Sequence, residues 1–186
     1  MRSWWYVCLA VTVAVAGCGS KKPPKVVYDL LPLVGKRAAE VEAVLGKGTN
    51  IESTAPYGPE YTPGEYRDYV IPGVKGATLQ VRYRSGIAVQ LGALLPLTQA
   101  VGTPEELLGM FGVDVSGSRP EFEALIVSRW SGTFRGVYLR RVEAVCDLPQ
   151  DGIDRLDPHH NRAAQLKDLK KRGRWWSATV STENLP

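Results

Sequence analysis

The sequence predicts an α+β domain: an antiparallel sheet of five or six strands with two or three helices packed on one face. Three observations carry this expectation. Val34, Ala38, Val41 and Leu45 recur at intervals of three and four, the spacing that gathers side chains on one side of a helix. Leu79, Val81 and Tyr83 alternate with Gln80, Arg82 and Arg84, and Ile87, Val89 and Leu91 continue the alternation beyond a Ser85-Gly86 turn. Thr103-Pro104-Glu105-Glu106 has the chemistry of a helix start, with a hydroxyl to cap, a proline at the first position and carboxylates on the positive end of the dipole.

The elements follow in order. A first helix is predicted over 33–45, with Glu40 and Glu42 on its far side and Gly46 as its stop. Residues 47–64 are rich in Gly, Pro, Thr and Tyr and predict an irregular loop, on which Tyr57, Tyr61 and the following Tyr66 offer a candidate partner surface. The commoner fate of such tyrosines is to pack a long loop onto a sheet. A meander over 66–91 then presents one apolar face and one polar, partly basic face carrying Arg82 and Arg84. The helix begun at Thr103 is apolar at Leu107, Leu108 and Phe111 and ends at Gly112.

A second hairpin is predicted from strands 122–130 and 133–145, turning at Ser131-Gly132. Val137, Leu139 and Val142 do not keep one parity, which predicts a bulge near Arg140-Arg141. The two Ser-Gly hairpins hint at an internal duplication. After a linker at 148–152, a short amphipathic helix over 161–171 leads to Arg172-Gly173-Arg174-Trp175-Trp176 and a last strand through Val180.

Ahead of all this lies a leader. After Met1-Arg2, no residue from Trp4 to Gly17 is charged. A spanning helix needs about 20 apolar residues, so this shorter run, ending in small residues, reads as a cleaved signal peptide. Its last positions, Val15, Ala16 and Gly17 before Cys18, resemble the lipobox of bacterial lipoproteins. The resemblance implies cleavage before Cys18 and a diacylglycerol on its thiol, with membrane lipid as a partner. It also implies a cell-envelope location: the outer membrane facing the periplasm where there is one, since Gly19 is not the inner-membrane Asp, and otherwise the outer face of the plasma membrane. The other readings of these residues are an ordinary signal peptide with an incidental cysteine and an uncleaved anchor.

The expected organisation is therefore a leader over 1–17, a lipidated tether over 18–28, an α+β domain over 29–150, and a C-terminal helix and basic-aromatic extension over 151–186 packed on the same domain. Ser20-Lys-Lys-Pro-Pro-Lys25 is a short, stiffened tether that keeps the domain near the bilayer. Removing residues 1–17 from the 186 leaves 169, enough for one domain with a sizeable core. Hydrophobic content of 44% and charged content of 23% are those of a globular chain.

Little catalytic chemistry is written in the residues. With Cys8 in the leader and Cys18 lipidated, Cys146 is the domain's one cysteine, which excludes an intramolecular disulfide; its apolar neighbours predict a buried, inert thiol. His159-His160 are adjacent, and such imidazoles diverge rather than share a metal. Nucleophile elbow, phosphate loop and metalloprotease motifs are absent, so no catalytic residue, metal or cofactor is expected.

The net charge of +4 is uneven: between Arg162 and Trp176 six Lys or Arg face one Asp. Within that segment Lys170, Lys171, Arg172 and Arg174 suit lipid phosphates, and Trp175 and Trp176 suit the headgroup region. An exported chain does not meet nucleic acid, which removes the other customary partner of such a stretch. Tryptophans packing on the core are the alternative.

The stretch 33–95, with Val41, Leu45-Gly46 and a following meander, also resembles the small two-layer domains of outer-membrane assembly lipoproteins and β-lactamase-inhibitor-like proteins. Those families carry a proline where Gly48 stands. The resemblance implies a binding or scaffold role towards another envelope protein or cell-wall component. The competing expectations are an envelope hydrolase or transferase and a small-ligand-binding lipoprotein.

Overall fold

A computed structural model describes residues 25–51, 65–124, 126–153 and 162–183. Along the chain these form α1 (Ala38–Leu45), β1 (Thr49–Ile51), β2 (Glu65–Val70), β3 (Thr78–Arg84), β4 (Ile87–Leu94), α2 (Pro104–Met110), β5 (Phe122–Glu123), β6 (Val127–Phe134), β7 (Val137–Asp147), α3 (Gln150–Ile153), α4 (Arg162–Arg172) and β8 (Arg174–Ser181). The α+β class is as predicted. The eight strands form one antiparallel sheet, two more than the upper expectation: β1 is an edge strand too short to show an alternation, and the predicted strand 122–130 folds back on itself as β5 and β6, with Phe122 opposite Arg129.

The strand order is β1-β2-β3-β4-β8-β7-β6-β5, a palindrome about the β4–β8 pair. Each half of the chain supplies four strands, and the fourth strands meet in the middle with Gly92 opposite Thr179. The C-terminal segment is thus no extension. Its strand β8 pairs with β4 on one side and β7 on the other and sits at the centre of the sheet.

Cross-strand register explains the core. Tyr69, Leu79, Ala93, Ala178 and Ala144 form one in-register row, and Val81, Leu91, Val180, Val142 and Trp130 form the next. These side chains are buried and join Val41 of α1, Leu107 and Leu108 of α2 and Leu169 of α4 in a single apolar cluster. The three alanines leave room for α2, which lies against β7 and β8. On the opposite face the same register aligns Asp68, Gln80, Gly92, Thr179, Glu143 and Arg129.

Local signals were obeyed where tertiary pairing did not compete. Ser85 (φ 52°) and Gly86 (φ 75°) make the β3–β4 turn, and the Thr103 hydroxyl accepts from the Glu106 amide at 3.1 Å to cap α2. The first helix begins later than predicted, at Ala38 rather than residue 33. Residues 35–38 are drawn out instead to pair with the start of β4, through Gly35 N to Ala88 O (2.9 Å) and Ala88 N to Lys36 O (2.8 Å). A short 3₁₀ turn, Leu31–Leu33, precedes them.

The second hairpin turns at Arg135 (φ 46°) and Gly136 (φ 84°), not at Ser131-Gly132. Ser131-Gly132 lies inside β6, because burying Trp130, Leu139 and Val142 together fixes the register. Trp130 pairs with Val142 and Gly132 with Leu139, so Arg140 and Arg141 together face Ser131: the predicted bulge. Leu139 and Val142, three apart, both reach the core because of it. The hairpin likeness between the halves therefore does not rest on a shared Ser-Gly turn.

Candidate functional site

The basic-aromatic segment is pulled apart by the fold. Lys167, Lys170 and Lys171 stand on one side of α4, as their spacing of three and four requires. They line a cleft of about 710 Å³ whose other walls are Trp175 on β8, Glu123-Ala124 beside β5, Ser128 on β6 and the start of α2 at residues 102–105.

Within it, Lys170 is held. Its ammonium lies 3.0 Å from Glu123 and 5.9 Å from the centre of the Trp175 ring, and its side chain is 14% exposed. Trp175 is buried as the cleft's floor, pairing with Cys146 across the sheet and exchanging backbone hydrogen bonds with Val101. Lys167 and Lys171 are exposed and have no ion-pair partner among the described residues. Lys170 is positioned, while these two are the cations the cleft offers, with Glu105 of α2 an exposed carboxylate on the wall opposite.

The other proposed contacts scatter. Arg174 gives its guanidinium to the Ala100 carbonyl, at 3.2 Å from Nε and 2.6 Å from Nη2. Arg172 is exposed at the end of α4 but outside the cleft, and Trp176 is the half-buried extra residue of a bulge in β8. Tyr66 is buried in β2, so it is no surface aromatic. Tyr57, Tyr61, His159, His160 and Cys18 lie outside the described residues. Sequence reasoning missed Glu123, Ser128 and the α2 start. Glu123 lies 47 residues from Lys170, and nothing local marks their meeting.

Across the first turn of α2 lies a second cleft of about 900 Å³, sharing Thr103 and Glu105 with the first. Lys25, Val26 and Val27 line it. The chain is docked there: the Val27 and Tyr28 amides donate to the Met110 carbonyl at 2.8 and 3.1 Å, and Asp29 pairs with Arg135 beside Gly112.

Cys146 is buried beneath α4, and burial pushes its thiol up to about 11, against the pull of Lys170. At neutral pH almost no thiolate forms. Iodoacetamide is expected to modify Cys146 at least about a hundredfold more slowly in the folded protein than in urea, with mass spectrometry as the readout; equal rates would mean an accessible thiolate. Among the described residues no group of three His, Cys, Asp or Glu is placed to hold a metal ion. Comparison with protein-family models, curated proteins and solved structures finds no match to this chain.

Proposed function

We propose that this chain is a lipid-anchored, non-enzymatic binding or scaffold protein of the bacterial envelope, working on another envelope protein or a cell-wall component close to the bilayer. What supports the reading is the short length of chain between Cys18 and the first docked residues. The chain is docked on α2 from Val27, and Lys25 is only seven residues beyond Cys18. Seven residues span at most about 25 Å. A domain on so short a lead works at the membrane surface.

The test is acylation and capture in intact cells. The wild-type chain is expected to take up labelled palmitate and fractionate with membranes, whereas Cys18→Ser abolishes labelling and releases the protein. Label retained in Cys18→Ser would remove the anchor from the reading. In-cell crosslinking of the anchored protein is expected to trap a discrete envelope component; a yield of bulk lipid alone would defeat the scaffold role. The 710 Å³ cleft favours a second reading, that of a ligand-binding lipoprotein, because its volume suits a small molecule.

A further inference from the structure

We propose that the lysine cleft between α4 and β5 docks the domain on its own bilayer by taking the phosphate of an anionic lipid headgroup. The inference rests on the tethered reading for its geometry, but its chemistry is that of the cleft alone.

Four observations converge. First, Lys167 and Lys171 are exposed and unengaged by any described carboxylate, while Lys170 between them is fixed by Glu123 and Trp175. The fixed lysine holds the wall of the cleft, and the two exposed ammonium groups beside it suit an oxygen-rich anion that needs point charges rather than a planar fork. Second, the cleft's volume admits a headgroup as well as a bare ion.

Third, the rim is apolar where a bilayer would want it. Ile126, 44% exposed, lies between the cleft-lining Ala124 and Ser128. Exposed apolar side chains beside lysines are what an interfacial surface uses, the first entering the acyl boundary and the second reaching the phosphates. A soluble acidic peptide would have no use for that rim. Fourth, the tether leaves from the neighbouring cleft, one turn of α2 away, with Val26 and Val27 also exposed there. The wall of the domain that the anchor holds nearest the membrane is the wall carrying the cleft.

Binding by this surface is separable from the acyl anchor. The experiment uses the mature chain with Cys18→Ser, so that no lipid is attached, and co-sedimentation with vesicles of phosphatidylcholine alone or with about a third phosphatidylglycerol. Binding is expected to the anionic vesicles only and to weaken as salt rises. Lys167→Glu/Lys171→Glu is expected to lower the partition coefficient by at least about tenfold, each lysine near an anionic surface being worth roughly 1 kcal/mol. Lys36→Glu/Lys47→Glu changes net charge equally but lies away from the cleft, with Lys36 paired to the start of β4 and Lys47 beside β1 at the opposite edge of the sheet, and is expected to change binding less than about twofold.

Equal losses in the two double variants would reduce the effect to net charge and overturn the site. So would failure to bind the anionic vesicles, or binding of glycerol phosphate by a protein that ignores vesicles, which would make the ligand a soluble phosphate. None of these outcomes touches the palmitate result, so the anchor and the cleft stand or fall separately.

Discussion

Glu183→Ala is expected to cost about 3 kcal/mol of unfolding free energy at neutral pH, read from urea denaturation at constant slope. The reason is Arg82. Its side chain lies on the polar face of the sheet, as alternation predicts, yet it is fully buried. One nitrogen, Nη2, reaches Glu183 Oε2 at 2.6 Å, while Nε and Nη1 have no hydrogen-bond partner among the described residues. Removing the carboxylate leaves a buried cation with no counter-charge, which costs far more than an exposed ion pair contributes.

The converse variant should be milder. In Arg82→Met, Glu183 keeps Arg84 at 2.9 Å and enough exposure to rehydrate, so the loss should be well under that of Glu183→Ala. A Glu183→Ala protein within about 0.5 kcal/mol of the parent would show that the pair holds nothing.

The pair also sets an acid sensitivity. Burial raises the Glu183 carboxyl, but the hydrogen bonds from Arg84 and Arg82 outweigh it and hold the group below its ordinary value of 4.5. Its contribution is therefore complete above that value and is lost as pH falls through the lower, folded one. The difference in stability between parent and Glu183→Ala should be constant near neutrality and shrink once pH falls below that ordinary carboxylate value.

Trp175→Ala is expected to be costlier still, at about 3–5 kcal/mol, lowering Tm by about 10 °C. The ring is 3% exposed, lies against the core beside Cys146, and supports Lys170 from below. Deleting it opens a cavity under the cleft, and the backbone there cannot close in, because Trp175 is bonded in both directions to Val101. Trp175→Phe should recover about half the loss. A shift of only a degree or two in the alanine variant would mean that the ring faces solvent, as a headgroup-seeking tryptophan would.

What the sequence could and could not tell divides by range. Ser85-Gly86 and the Thr103 cap are decided by two to four adjacent residues, and both were legible. The bulge at Arg140-Arg141 was legible as a loss of parity. The hairpin turn was not: Ser131-Gly132 and Arg135-Gly136 are comparable local turns, and only the burial of Trp130 against Val142 chooses between them. Arg82 could be placed on the correct face of its strand, but its burial depends on Glu183, 101 residues later. The cleft was half legible. Lys170 and Lys171 were singled out in the sequence, but Lys167 was not, and their opposite wall comes from strands and a helix start far away in the chain.

The palindromic strand order has a consequence for how the chain reaches its folded state. The outer hairpins, β2–β3, β3–β4 and β6–β7, join strands close in sequence and can form early, each within its own half. The seam joins Leu91 to Val180, a closure across nearly ninety residues, and its entropy must be met before any seam contact rewards it. Until then β4 and β7 each present a row of unpaired amides and carbonyls, and either is a template for another copy of the chain. The half-assembled intermediate is thus the molecule's most aggregation-prone form, and variants that weaken β8 should fail by self-association rather than by simple unfolding.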